Sequence, residues 1–476
     1  MDILQAILPE LVLGCAAAFF FGCSLFNVEK NMHRYAVAWA AAAFLAAVIG
    51  MSGQAEFFHG AYRVDRFSRF FSLFITGAFL VVMIITLRME DIDRNCRADL
   101  YFFLTVSTSG LILVTGATEL LTLFIALEIS SYPLYITTSY RKGLGFQFEA
   151  AAKYLVFGVV STALMIYGIS YLYGALGSTF LSDIVLALPS HLYDPLTLVG
   201  VILFMAGLLY KLAAFPFHFW APDVYSGAAV EVVAFAAALP KLAAVALFAR
   251  VGGVFMDFDV LAPALAILAV LSMTVGNILA LAQTELKRLL AYSAVSHAGY
   301  ILLGVLAASR GGLNSAMFYG AVYAVMSLAA FLVAVQMAEE GKNDIPLDDL
   351  KGLWHRAPLL AIVFTVALVS LAGLPPTAGF TGKLLLLTAA WKAGWFWTVV
   401  IGVLNSLLGF FVYLNIIRIS LVDDRSAGRP VPISPLLGTT ATALGLGLLV
   451  LGVFPGGLLT MARKALAALL YIVPLT

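Results

Sequence analysis

Residues 204–227 read FMAGLLYKLAAFPFHFWAPDVYSG. The stretch begins as an apolar helix, sets Lys211 inside the apolar run and follows it with Pro216. A proline removes a backbone donor and interrupts the i to i−4 ladder. Inside a bilayer, carbonyls freed in this way are tolerated only where protein or a water-filled cavity satisfies them. A cation beside such a break therefore predicts a locally hydrated polar site within a membrane helix.

The rest of the chain agrees with a bilayer as solvent. It has 476 residues, 62% of them apolar and 11% charged, with a mean hydropathy of +1.01. Soluble domains carry roughly 25% charged residues. The fold class is an all-α polytopic membrane protein. A formal net charge of +1 with no basic tract gives no electrostatic footprint for nucleic acid. The N-terminal run MDILQAILPELVLGCAAAFFFGCSLF carries an acid where a signal peptide would carry positive charge, and it reads as a retained first helix. Cys15, Cys23 and Cys96 show no disulfide, metal or iron–sulfur spacing and read as small hydrophobes in or near helices.

A span needs about 20 predominantly apolar residues. Runs of that kind give about fourteen transmembrane helices, near 3–26, 35–53, 67–87, 100–116, 117–139, 149–173, 196–220, 228–251, 258–280, 290–308, 314–338, 359–390, 394–421 and 435–456. Lys and Arg gather in the odd-numbered connections (RMEDIDRNCR, YRKG, ELKRLL, KNDIPLDDLKGLWHR, VDDRSAGR), while the even ones are poorer apart from YRVDRFSRF. The positive-inside rule then makes the odd connections cytoplasmic and leaves both termini outside.

The twelfth segment, VSLAGLPPTAGFTGKLLL, is interrupted like the seventh, with Pro375 and Pro376 ahead of Lys383. At 1.5 Å per residue its whole run would be about 48 Å long, too long for one straight helix across a core of ~30 Å. The two interrupted segments lie five helices apart, so they cross in opposite directions. This pattern suggests two inverted five-helix repeats, 100–251 and 258–421, behind three N-terminal helices (1–99) and before a last helix and tail (435–476).

Charges well inside the spans carry the functional signal, since each costs about 2.5–3.5 kcal/mol at a helix centre. They are Glu128 in LLTLFIALEISSYPLY, Lys211, Lys241 in LPKLAAVALF, and Lys383. All are Glu or Lys, whereas every arginine falls in a loop or near a helix end. A buried lysine can change protonation state and a guanidinium cannot, so the set suits proton transfer better than structural pairing. Lys153 follows Glu149 by four residues, which leaves open an i,i+4 pair with snorkelling or a relay role. His297 in the tenth helix and His218 near the end of the seventh are relay or packing residues. There is no Walker loop, dinucleotide turn, Cys/His cluster or G-x-S-x-G.

Together with EAAAKYLVFG, YKLAAFPFHFWAPDVYSG, ELKRLLAYSAVSHAGYILLG, LAGLPPTAGFTGKLLL and GVFPGGLL, these motifs resemble the antiporter-like membrane subunits of respiratory complex I, the NADH:quinone oxidoreductase. The likeness runs from about residue 100 to the C-terminus. Lys383 argues against subunit M, which usually has Glu in the twelfth helix. The resemblance implies that Glu128 pairs with and tunes Lys211, that Lys241 leads towards the second half-channel with His297 as a relay, and that Lys383 ends the hydrophilic axis. Lys153 matches a sixth-helix lysine of the family.

The resemblance further implies a translocase subunit with no cofactor or metal of its own. NAD, FMN, iron–sulfur clusters and quinone would reside in other subunits. Its partners would be membrane subunits M, L, K, J, A and H, the peripheral redox arm and membrane lipid, in a bacterial cytoplasmic membrane. The family commonly continues VYxGxPTPV where this chain has VYSGAAVEVVAF, so Ala229 and Glu231 replace prolines, and Glu231 reads as a solvated acid near the membrane edge. The same motifs recur in multisubunit sodium/proton antiporters and membrane-bound hydrogenases, and a non-pumping membrane scaffold is an alternative of another class.

Overall fold

Acidic and hydroxyl side chains set where the crossings begin. In the computed structural model, Asp65, Glu119, Asp194, Glu285 and Ser434 cap helices by accepting from backbone N–H groups of the first turn. Such caps supply partners for donors that helix geometry leaves unpaired. The structure describes residues 2–28, 30–87, 89, 92–142, 145–255, 261–308, 311–338, 344–421 and 431–470. The charged connection 422–429, parts of those at 88–97, 140–143 and 342–356, and the first residues of the ninth expected span lie outside the described residues.

The helices are α1 (Asp2–Ala6), α2 (Leu8–Leu25), α3 (Met32–Ile49), α4 (Arg66–Ile85), α5 (Arg97–Gly116), α6 (Leu120–Thr138) and α7 (Phe146–Leu176). They continue as α8 (Leu181–Ala187), α9 (Pro195–Leu212), α10 (Trp220–Gly227), α11 (Val230–Phe255), α12 (Leu261–Leu281) and α13 (Leu286–Leu306). The remainder are α14 (Gly312–Met337), α15 (Leu353–Arg356), α16 (Pro358–Ala372), α17 (Ala378–Lys392), α18 (Phe396–Leu421), α19 (Pro435–Val453) and α20 (Gly456–Leu470). Among the described residues, thirteen helices are long and apolar enough to cross a membrane. The pair α16 and α17, fifteen residues each, makes the remaining crossing of the fourteen expected.

Backbone pairing between connections fixes the parity of these crossings. Those after the second, fourth and sixth crossings meet on one face: Thr118 N–H donates to Ala61 O at 3.0 Å, and Leu120 N–H to Thr179 O at 2.9 Å. Those after the seventh, ninth and eleventh meet on the other, where Lys287 Nζ donates to Ser226 O at 2.7 Å and Leu286 N–H to Ile345 O at 2.9 Å. Ile92 bridges Arg141, Arg141 Nη1 reaches Ser226 O at 3.1 Å, and Val431 N–H reaches Arg356 O at 3.2 Å, so the odd connections form one continuous network. Such a division into an even and an odd face requires the third to seventh crossings each to span from one face to the other.

Two elements are absent from the sequence reading. A two-stranded hairpin, β1 (Ala55–Phe57) with β2 (Tyr62–Val64), closes the connection after the second crossing. The expected tail contains α20, which packs against α4 and α14. Central helices are sheathed by the others: α11 is buried along its membrane-spanning length, whereas only 28% of the spans of α2 and α19 is buried.

A buried ionic cluster ties the N-terminal helices to α11 at the even face. Arg250 donates through Nε and Nη2 to Thr115 O at 2.9 and 2.7 Å, pairs with Asp65 at 3.3 Å and stacks 4.8 Å over Phe67. Beside it, the buried Arg69 lies 3.8 Å from Glu10, whose other oxygen accepts from Tyr62 Oη at 2.9 Å. The arginines are near helix ends, as the sequence indicated, yet both are buried.

Single cysteines at His59 and Asp348, in a background lacking native cysteines, should be labelled by an impermeant maleimide from opposite sides of the membrane. Labelling from the same side would overturn the parity. Arg250→Met should cost about 3–5 kcal/mol by leaving Asp65 buried and unpaired. The double variant with Asp65→Asn should recover most of that loss, read as melting temperature of the purified assembly.

Candidate functional site

The seventh crossing breaks where its sequence indicated. Helix α9 ends at Leu212, Ala213 adopts a left-handed conformation (φ 58°), and the Ala213 and Ala214 N–H groups return to Tyr210 O and Leu209 O, both at 2.9 Å. Pro216 follows in a cis peptide, and α10 resumes at Trp220. Phe215 N–H is capped from across the molecule by Ser272 Oγ of α12 at 3.0 Å.

Lys211 occupies the last turn of α9, where the carbonyl end of the helix favours a cation. It is 7% exposed, and its Nζ donates to Ser130 Oγ at 3.0 Å and Ser131 Oγ at 2.8 Å. Both hydroxyls donate onward to Leu127 O at 2.7 Å. They lie one turn before Pro133, so the same helix that carries Glu128 presents an interrupted, polar stretch. Glu128 makes no ion pair with Lys211, and its Oε1 is buried without a hydrogen-bond partner, with Tyr132 and Thr162 beside the carboxyl. The pairing implied by the resemblance is therefore open in this conformation, because the serines take the ammonium instead.

The twelfth crossing solves its break differently. Gly373, at φ +83°, ends α16; Gly373 and Leu374 N–H groups return to Val369 O at 3.1 Å, and Gly373 N–H also approaches Ser370 O at 3.0 Å. The two carbonyls left over, Leu371 O and Ala372 O, accept from Lys383 Nζ at 2.8 and 3.0 Å. Lys383 thus reaches back from α17 to cap α16, and it is 5% exposed. Pro375 and Pro376 lie between the two helices, joined by a cis peptide. A Cβ on Gly373 would fall 2.8 Å from Lys383 Cδ, so the position demands glycine for both space and dihedral angle.

Lys241, His297 and Lys383 are brought together. Lys241, one residue after Pro240 in α11, is 3% exposed and donates to Ala294 O at 2.8 Å, with Tyr323 Oη 3.4 Å away. His297 stands between the lysines on α13. Its ring centre is 5.2 Å from Tyr323, over which Lys241 Nζ sits at 4.9 Å. On the other side its ring centre is 6.3 Å from Tyr300, over which Lys383 Nζ sits at 4.8 Å. Its nitrogens meet Tyr319 Oη at 2.6 Å and Tyr413 Oη at 3.2 Å, and Tyr413 bonds Ser293 Oγ at 2.6 Å.

Lys153 belongs elsewhere. Its side chain is 39% exposed and pairs with Glu149 at 2.7 Å and Asp223 at 2.8 Å, while Asp223 also meets Arg288 at 3.4 Å. These groups line a cavity of about 320 Å³ on the odd face. His218 is buried in the seventh-helix break against Phe215 and Phe219. Glu231, expected to be solvated, is buried: α11 starts at Val230 and draws its first turn inside, with Ala229 also buried. Sequence reasoning missed the tyrosines and the serine pair. Tyr319 and Tyr323 at i,i+4 on α14, and two serines one turn from Glu128, were the available signals.

One property unites the three central lysines. Each ammonium is held by hydroxyls, carbonyls or an aromatic face, and among the described residues no carboxylate lies within 4.0 Å of any of them. Among the described residues no group of three or more His, Cys, Asp or Glu side chains could hold a metal.

The family described as NADH:quinone oxidoreductase/Mrp antiporter, TM, matches residues 117–409. The chain belongs to this family. A relative from Opitutus terrae named NADH-quinone oxidoreductase subunit N 2 is 40% identical over 97% of this chain and 98% of its own. A chain of the respiratory complex I of Thermus thermophilus with bound aureothin superposes with a TM-score of 0.82 at 32% identity, covering 95% of this chain and 98% of that one. A chain of the archaeal membrane-bound sulfane sulfur reductase shares the fold, with a TM-score of 0.87 at 22% identity over 99% and 98% of the two chains. The protein is a multi-pass membrane subunit of a multisubunit assembly.

Gly373→Ala should cost about 1–2 kcal/mol in backbone strain and push Lys383 off its carbonyls, lowering both melting temperature and activity. Gly394→Ala, equally left-handed at φ +89° but facing open space, should lower only the melting temperature.

Proposed function

We propose that this chain is subunit N of a bacterial proton-translocating NADH:quinone oxidoreductase, and that Lys211, Lys241, His297 and Lys383 pass protons through it. The observation that carries the reading is that, among the described residues, no carboxylate lies within 4.0 Å of the three buried lysine ammoniums. A lysine locked in an ion pair is costly to neutralise, because the acid is left buried and alone. A lysine held by neutral acceptors can lose its proton without that penalty. In the same molecule the buried Arg250, which does have a carboxylate partner in Asp65, is a fixed joint, while Lys153 at the odd-face cavity remains a further candidate relay.

Glu128 is the adjustable charge in this scheme. When its carboxylate swings towards Lys211, the ammonium is favoured; when the serines hold Lys211, as here, the proton is freer to leave. A change of one pKa unit takes about 1.4 kcal/mol, so a small displacement transmitted from neighbouring subunits is enough to load or unload the site. The two interrupted crossings support two inverted repeats, 100–251 and 258–421, with Lys241 and His297 leading to Lys383. The redox chemistry, with NAD, FMN, iron–sulfur clusters and quinone, falls to other chains; subunits M, L, K, J, A and H and the peripheral arm are the proposed partners. The charge bias of the odd connections supports their facing the cytoplasm, with both termini outside the inner membrane.

A multisubunit sodium/proton antiporter is the second reading, favoured by the shared family. It requires sodium-dependent transport in the absence of quinone reduction. Identities of 32–40% to NADH-quinone oxidoreductase chains favour the first.

Lys211→Met should assemble and lose proton pumping and coupled quinone reduction by about 100-fold or more, the scale of a positioned proton-transfer group. Lys211→Arg should also fail, since a guanidinium keeps its proton. Glu128→Gln should be milder, about tenfold for one unit of lost tuning. Pumping per electron in proteoliposomes, alongside assembly, is the measurement. Wild-type stoichiometry in both Lys211 variants would make the lysine structural.

A further inference from the structure

We infer that the even face carries a binding site for the phosphate headgroup of an anionic phospholipid, distinct from the lysine axis. A cavity of about 630 Å³ opens between the hairpin, the first residues of α4 and the last turns of α20. Gln54, Glu56, Arg63, Asp65, Arg66 and Lys464 line it.

The charges there do not cancel. Glu56 pairs with Arg63 at 2.5 Å. Asp65 is spoken for twice, accepting from Ser68 N–H at 2.7 Å as the cap of α4 and pairing with the buried Arg250 at 3.3 Å. Arg66 and Lys464 are exposed and have no hydrogen-bond or ion-pair partner among the described residues. Two free cations therefore converge on one polar cavity. The ligand they fit is a phosphate group, which accepts from a guanidinium and an ammonium at once.

The position in the fold points to a lipid as its source. The cavity sits where helices end on the even face, the level of the headgroups. Helix α20 is amphipathic: Leu458, Ala462, Ala465, Leu466 and Leu469 are buried inward, while Arg463 and Lys464 face out. Helices of that pattern lie along apolar–polar boundaries and gain from anionic lipid.

The test uses the whole purified assembly. After delipidation, phosphatidylglycerol added in detergent should raise its melting temperature by several degrees, and phosphatidylcholine should not. Native mass spectrometry should show at least one fewer retained phosphatidylglycerol in Arg66→Gln/Lys464→Gln than in wild type, with Arg418→Gln, an exposed arginine near the odd face, unchanged. Millimolar inorganic phosphate should fail to displace the lipid. Equal retention by the double variant, equal stabilisation by phosphatidylcholine, or displacement by inorganic phosphate would each overturn the proposal. Proton pumping of the double variant is scored separately, so failure here leaves the lysine axis untouched.

Discussion

A helix that stops inside a bilayer leaves carbonyl oxygens away from bulk water, and each must find a donor from the protein or a hydrated cavity. The rest of this structure is arranged around that requirement. At the seventh crossing the backbone closes on itself through Ala213 and Ala214, so Lys211 is released to donate to Ser130 and Ser131. At the twelfth the backbone satisfies only Val369 and Ser370, and Lys383 supplies the donor for Leu371 and Ala372. Two breaks of similar sequence thus have different chemistry. Neutralising Lys211 leaves two hydroxyls that already donate elsewhere, whereas neutralising Lys383 weakens the end of a helix.

Cations are divided by task. Arg250 and Arg69 hold the N-terminal helices to the core near the even face, where permanent charge and a fixed fork of donors suit a permanent joint. Lysines occupy the interior, where a compact ammonium with three donors on a flexible stem can exchange partners. Tyrosines complete the arrangement. Tyr300 and Tyr323 present ring faces to Lys383 and Lys241, an attraction that persists in a dry site without a second charge.

The two halves of the molecule meet through polar contacts at both levels. Phe215 N–H takes its acceptor from α12, and the odd-face network joins Lys153, Asp223 and Arg288 across α7, α10 and α13. Movement of α10 would therefore be felt both at the cavity on the odd face and at the break beside Lys211. That linkage is a mechanical connection between the odd face and the buried Lys211.

Much of this was legible in the sequence because a membrane imposes length and apolarity one segment at a time. The crossings, the broken helices at Pro216 and Pro375, the half-buried Glu128 and the buried Lys211, Lys241 and Lys383 follow from local runs and from the cost of charge in hydrocarbon. The partners of those charges do not. Whether Lys211 meets Glu128 or the serines, whether Lys153 adds Asp223 to its i,i+4 partner Glu149, and whether Glu231 is solvated depend on neighbours far along the chain, and a difference of a few ångströms reverses the answer. The sequence by itself determined which residues enter the membrane, since transfer energies belong to side chains one at a time. Only the tertiary structure decided what each buried charge touches, since hydrogen bonds act over about 3 Å and, beyond local pairs such as Glu149 with Lys153, spacing along the chain does not encode them.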